Sequence, residues 1–453
     1  MGDPRAQDLL SLDRDVASGW KELTRWRAEL ARDPDACANE DPIEPVRRIA
    51  GKSMLDALTD LEPSAADIPL RGALRRWVFA LTQARIGRRN EVAFAKSASE
   101  PRGAFHGKHP RLVSFRESWR GVVAAPSPAE ADLWLDAAAE AAPGLSAIAR
   151  ASAGRRIEVA RRLGAAHPWT AQVGLEPSAL RDAAVRLLDA TEDLSRAVWK
   201  PSSPRERAGM ASVIHCAVAR DAGDGWPAQL TTRWLDDAFA GARGLRLEIG
   251  PLPPARGAAS FARVLYAFGF AVRSAAAATS MPFSLAHDPA FVSAHRWGFV
   301  FGALAADAEW QRRVLGVGLR AALSQVRAVG RAALLDARLH AARILLGDDA
   351  ALAPADRFDE VGGRLFDGGI PRRMRGAWPS SREDEPARFV ALLESRRFAE
   401  NLRDRFDSDW YRNPRAWAHF RSLGAAPALE PVDGKALASQ VDLIARALDE
   451  ALG

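Results

Sequence analysis

Leu265-Tyr266-Ala267-Phe268-Gly269-Phe270-Ala271-Val272-Arg273 lies inside the most apolar part of the chain, Gly257 to Ala286, where the charged residues are Arg263 and Arg273. Two guanidinium groups in so short a run suit a buried helix pair better than a lipid-facing span. On a helix, Arg263, Tyr266, Phe270 and Arg273 stand at i, i+3, i+7 and i+10 and share one face. If that face lines a cleft, it suits an anionic or aromatic-bearing peptide through cation-π and carboxylate contacts, with His295 and Trp297 across the way. The other reading is a hydrophobic plug, with Tyr266 and Phe270 closing the cleft and Arg263 and Arg273 reaching solvent or carboxylates such as Glu248 or Asp288. Aromatic residues at helical spacing are core more often than site, which makes the plug the expectation.

Outward from this helix, Gly244-Leu245-Arg246-Leu247-Glu248-Ile249-Gly250 alternates apolar and charged residues and reads as one strand. Downstream, Asp288-Pro289 reads as an N-cap with Pro at the first helical position, opening a helix through His295 to Asp307. Elsewhere Ala, Leu, Arg and Glu dominate with three- and four-residue apolar spacing, as in Ala179 to Leu188. The chain is therefore predicted to be mostly α, with helix stops at the Pro and Gly clusters near residues 101–110, 126–128, 201–204, 251–257, 362–371 and 424–431.

Composition narrows the function. The chain has 453 residues, 48% hydrophobic and 26% charged, with 63 basic against 57 acidic residues. A net charge of +6 spread over a mixed surface is weak ground for nucleic-acid binding, which stands as the last alternative. Two cysteines, Cys37 and Cys216, exclude a disulfide framework and read as buried thiols in the cytoplasm. MGDPRAQDLL lacks the order of a signal peptide, and no membrane span is expected. Phosphate-loop, dinucleotide-binding, nucleophile-elbow and H-E-x-x-H motifs are missing. His215 and Cys216 are neighbours that point apart on a helix, and His106 and His109 read as a polar loop. The basic clusters near residues 71–76, 85–89, 155–162 and 372–375 read as solvated helix faces.

The stretch from Leu265 to Arg273 resembles the L-H-E-x-G-H-A-x-H segment of zinc metallopeptidases in the thimet oligopeptidase and oligoendopeptidase F group. In that motif two histidines hold one zinc and the glutamate polarises the attacking water. Tyr266 and Phe270 stand at the histidine positions and Ala267 at the glutamate position. The group's third ligand comes from a pattern like E-G-x-A-x-L-F-x-x-L-x-x-D-x-x-W. Here His295 takes the Glu position, followed by Gly298, Phe301, Leu304, Asp307 and Trp310 in frame. Leu180 to Trp199 is similar to an A-x-x-x-L-x-x-T-E-x-L helix, with Thr191 and Glu192 kept, and Leu245 to Ile249 looks like the strand leading into the zinc helix. Leu402-Arg403-Asp404-Arg405-Phe406-Asp407-Ser408-Asp409-Trp410 resembles L-R-x-R-F-G-x-D-W, and Phe389 stands at a tyrosine position thought to stabilise the oxyanion.

The resemblance implies a helical two-lobed zinc-peptidase-like body around a central cleft, with a minor β element, an N-terminal lobe over 1–205 and a metallopeptidase-like lobe over 206–453. Its chemical residues are replaced while its packing residues stay. The implied function is a catalytically inactive relative without zinc, whose degenerate positions are Tyr266, Ala267, Phe270, His295 and Phe389, and which binds a peptide or protein partner. The alternative is a hydrolase with a different metal or acid/base site, built on His295 with His287, Asp288 or His340.

Overall fold

A computed structural model describes residues 4–200, 209–218, 226, 231–249, 258–277, 281–347, 355–379, 383–424 and 434–453. Helices dominate them, as the Ala/Leu/Arg-rich composition dictates. The longest are Pro128–Arg162, Ile68–Ser99, Pro4–Leu30 and Leu319–Leu345. Local chemistry sets several starts. Ser114 Oγ accepts the Glu117 N–H at 3.1 Å and Ser127 Oγ the Glu130 N–H at 3.3 Å, opening Phe115–Ala124 and Pro128–Arg162.

The sheet among the described residues is an antiparallel hairpin of β1 (Pro101–Phe105) and β2 (Arg111–Ser114), in a stretch whose Pro and Gly read as loop. Exposed His106 and His109 sit at its turn. Gly103 is required there, because a Cβ would lie 2.0 Å from the Ala137 carbonyl oxygen.

Three expectations are corrected. Leu245–Ile249 forms no strand: it is an irregular segment whose Leu245, Leu247 and Ile249 pack against an aromatic cluster while Arg246 and Glu248 face solvent. Its alternation reports one buried side of a lone chain segment. The helix expected from Asp288-Pro289 begins at Val292 instead. Asp288 Oδ1 accepts the Ala290 and Val292 N–H groups, and Phe291 takes φ 56° between them. Cys216 is exposed, because the short helix Met210–Ala217 buries Val213, Ile214 and Ala217 on its other face; Cys37 is buried.

One aromatic core gathers Phe268, Phe301, Trp310, Trp410, Trp417 and Phe420, and a second unites the N-terminal helices around Trp26, Trp77 and Leu81. The largest draws on both sides of residue 205, from Leu135 and Leu187 to Leu345 and Phe389. Between these cores lies a cavity of about 2260 Å³. Among the described residues, no helix is long and apolar enough to cross a membrane.

Candidate functional site

The cavity wall is built by two helices in close contact, Ala258–Ala276 and Val292–Gly302. Glycines set the approach. A Cβ on Gly269 would lie 2.5 Å from the Trp297 carbonyl oxygen, and one on Gly298 would lie 2.9 Å from the Tyr266 ring. Backbones this close bring Tyr266 and His295 within bonding reach. The other positions of the same sequence frame also pack: Phe301 lies against Phe268, Trp410 and Phe420, and Asp307 caps Glu309 and Trp310 while accepting Arg403 at 2.9 Å.

Tyr266 Oη lies 2.5 Å from His295 Nδ1, with the Phe270 ring centroid 5.0 Å from the imidazole. His295 Nε2 stands 3.6 Å from Asp384 Oδ2, and Arg388 Nε donates to the same oxygen at 2.6 Å. Burial first, and then the Arg388 charge, push the His295 imidazole down to about 3. At neutral pH it is uncharged. The tautomer that satisfies both neighbours accepts the Tyr266 hydroxyl proton on Nδ1 and points Nε2–H at Asp384.

Asp384 belongs to a run of three carboxylates, Glu383-Asp384-Glu385, at the start of the helix Glu385–Phe406. Each goes to a different element. Glu383 accepts Arg27 of the N-terminal helix at 2.7 Å, and Arg27 also holds Glu91 with two bonds of 3.0 and 2.7 Å. Asp384 serves Arg388 and faces His295, while buried Glu385 bonds His340 Nδ1 and stands 3.9 Å from Arg343 Nε. Three walls of the cavity are thus tied to one helix start.

Of the residues singled out in the sequence, Arg263, Tyr266, Ala267, Phe270, His295 and His340 line the cavity, with Tyr266 and Phe270 half-buried rather than sealed in. In place of the expected plug, Tyr266 and Phe270 form part of the lining of the cavity, and Phe270 reaches the N-terminal helices through Phe291, which packs on Trp20 and Trp77. Arg263 reaches solvent. Arg273 is buried and donates through Nε to Ser293 Oγ at 2.9 Å, in the first turn of the His295 helix. Trp297 is buried against Phe398 and Phe420, and Phe389 lies in the largest core; neither lines the cavity. His287 packs between Phe283 and Phe291, its imidazole pushed down to about 4 by burial and then by Arg273. Asp384, Arg388 and the His340–Glu385 pair complete the site. The Glu-Asp-Glu run before Pro386 is the signal that marks them.

Among the described residues, no group of three or more His, Cys, Asp or Glu side chains is placed to hold a metal ion. No known family matches the chain by sequence, and no curated protein does. Solved structures do match, 13 chains in all. One is a Bacillus anthracis protein described as an oligoendopeptidase F, with a TM-score of 0.55 over 91% of this chain and 85% of that chain, at 10% identity. The likeness shows the fold, a large helical body of the oligoendopeptidase F kind.

Proposed function

We propose that this chain keeps the body and cavity of an oligoendopeptidase-like fold without zinc or peptide cleavage, and that the cavity binds a peptide or a segment of a protein partner, in the cytoplasm. The observation that carries this reading is the Tyr266–His295 hydrogen bond on the cavity wall. The resemblance puts zinc among the side chains at 266, 270 and 295. A phenyl ring at 270 offers no lone pair, and the one imidazole spends Nδ1 on the phenol, so this donor set does not fit a zinc ion. Ala267 has no carboxylate to polarise a water. An imidazole that titrates near 3 is too weak a base to take the Tyr266 proton at neutral pH, which also speaks against a metal-free hydrolase built on this pair.

The test is incubation of the full chain, with and without added zinc, with a quenched-fluorescent peptide library, alongside binding of the same peptides in unquenched form. Binding without cleavage is expected. Cleavage that tracks protein concentration and disappears in Tyr266→Ala or His295→Ala would refute the proposal.

A further inference from the structure

At another part of the cavity, the helix Phe115–Ala124 presents Arg116, Trp119, Arg120 and Val123, a stripe of one helical face. Beside it runs the loop carrying Arg375 and Trp378, whose ring centroid lies 4.9 Å from that of Trp119. Elsewhere on the cavity lining Arg388, Arg27 and Arg403 each hold a carboxylate, and Arg263 faces solvent. Among the described residues, no carboxylate pairs with Arg116, Arg120 or Arg375. Arg116 donates to the Ala31 carbonyl at 2.6 Å, while Arg120 is exposed. Burial first, and then the neighbouring Arg120 charge, make the Arg116 cation harder to hold. Arg116 and Arg120 are neighbours, and Arg375 lines the same cavity three residues before Trp378; like charges on an apolar wall, without an internal counter-ion, favour an anion brought by a ligand.

We infer that Arg116, Arg120 and Arg375 form an anion subsite of the cavity, which takes the terminal carboxylate of a peptide while the Trp119–Trp378 pair takes the adjoining apolar or aromatic side chain. The inference rests on the peptide-binding reading above and gives it a direction: the carboxylate end lies at the Trp119 wall and the rest of the chain extends toward Tyr266. Arginine forks bind carboxylates with paired hydrogen bonds, and indole faces accept apolar side chains at little entropic cost. Such a subsite steers acidic ligands into the cavity and weakens with ionic strength.

The experiment measures binding of fluorescein-labelled hexapeptides ending in Phe, as free acid and as C-terminal amide, to the full-length protein by anisotropy. The same titrations are run on Arg120→Gln/Arg375→Gln and on Arg372→Gln, an exposed arginine paired with Asp359 outside the cavity lining. The free acid should bind about tenfold tighter than the amide, as a charge-assisted contact predicts. The double substitution should abolish that difference, R372Q should keep it, and added salt should reduce it. Peptides that bind equally as acid and amide would overturn the subsite and leave the peptide reading standing. If no peptide binds at all, the peptide reading falls and the subsite with it. Circular dichroism of each variant confirms that any loss of the difference is not a loss of fold.

Discussion

At the residue scale, the site turns on one hydroxyl. Tyr266→Phe deletes the partner of His295 Nδ1 in a place where the imidazole is only 4% exposed, and leaving a buried polar atom unpaired costs roughly 1–3 kcal/mol. The urea midpoint should fall accordingly with the slope unchanged; an unmoved midpoint would mean that the bond contributes nothing. Histidine burial also sets a pH dependence. His295 and His287 are pushed from the ordinary 6.5 to about 3 and about 4, so between these limits the unfolded chain binds protons that the folded chain refuses. Stability present above pH 6.5 is therefore lost as pH falls, by about 1.4 kcal/mol per unit for each histidine within its window. Denaturation at pH 7, 6 and 5 should show the decline, and His295→Gln should reduce it by about half, since His287 keeps its share. A slope unaltered by that substitution would place the proton uptake elsewhere.

At the scale of elements, the close pair of helices makes the sharpest forecast. Gly298→Ala drives a methyl into the Tyr266 ring, and overpacking of this kind costs about 1–3 kcal/mol. Gly363→Ala, in a helix with nothing within 4 Å of the new methyl, should stabilise by up to ~1 kcal/mol. Thermal melts of the two variants should move in opposite directions. The site helix was readable from apolar spacing, and the second helix through the resemblance whose frame keeps Gly298, Phe301, Asp307 and Trp310; the close approach at Gly269 and Gly298 came only with the structure. The irregular path of Leu245–Ile249 was not readable, since a chain segment with one buried side alternates as a strand does. The β1–β2 hairpin was hidden because Pro101 and Gly103 suppress the strand signal, and Gly103 is there for the approach of Ala137. Glu383, Asp384 and Arg388 escaped because the bonds they make to Arg27 and toward His295 join residues far apart in sequence.

At the scale of the whole molecule, the two sides of residue 205 are joined by the largest core and by Arg338. This guanidinium, 1% exposed, donates to the Leu188 carbonyl at 3.0 Å, to Thr191 Oγ1 at 2.8 Å and to Glu192 Oε2 at 2.9 Å. Arg338→Ala removes a buried donor from Leu188 and Thr191, while Glu192 keeps Arg196 at 3.1 Å, and should cost about 1–3 kcal/mol. Both sides should still unfold in a single transition by calorimetry, and two separated transitions would contradict a shared core. Helical content and the cavity-lining helix were legible in composition and periodicity, whereas the cavity is lined by residues from Trp20 to Ala451, a long-range assembly that no local pattern encodes. The central proposal is that this cavity wall, with its hydrogen-bonded phenol and imidazole, binds no zinc. Its most direct test is the metal content of the purified protein by mass spectrometry, before and after incubation with zinc and removal of the excess. Zinc well below one equivalent per chain is predicted in both samples; one equivalent retained by the native protein and lost in Tyr266→Phe/His295→Ala would contradict it.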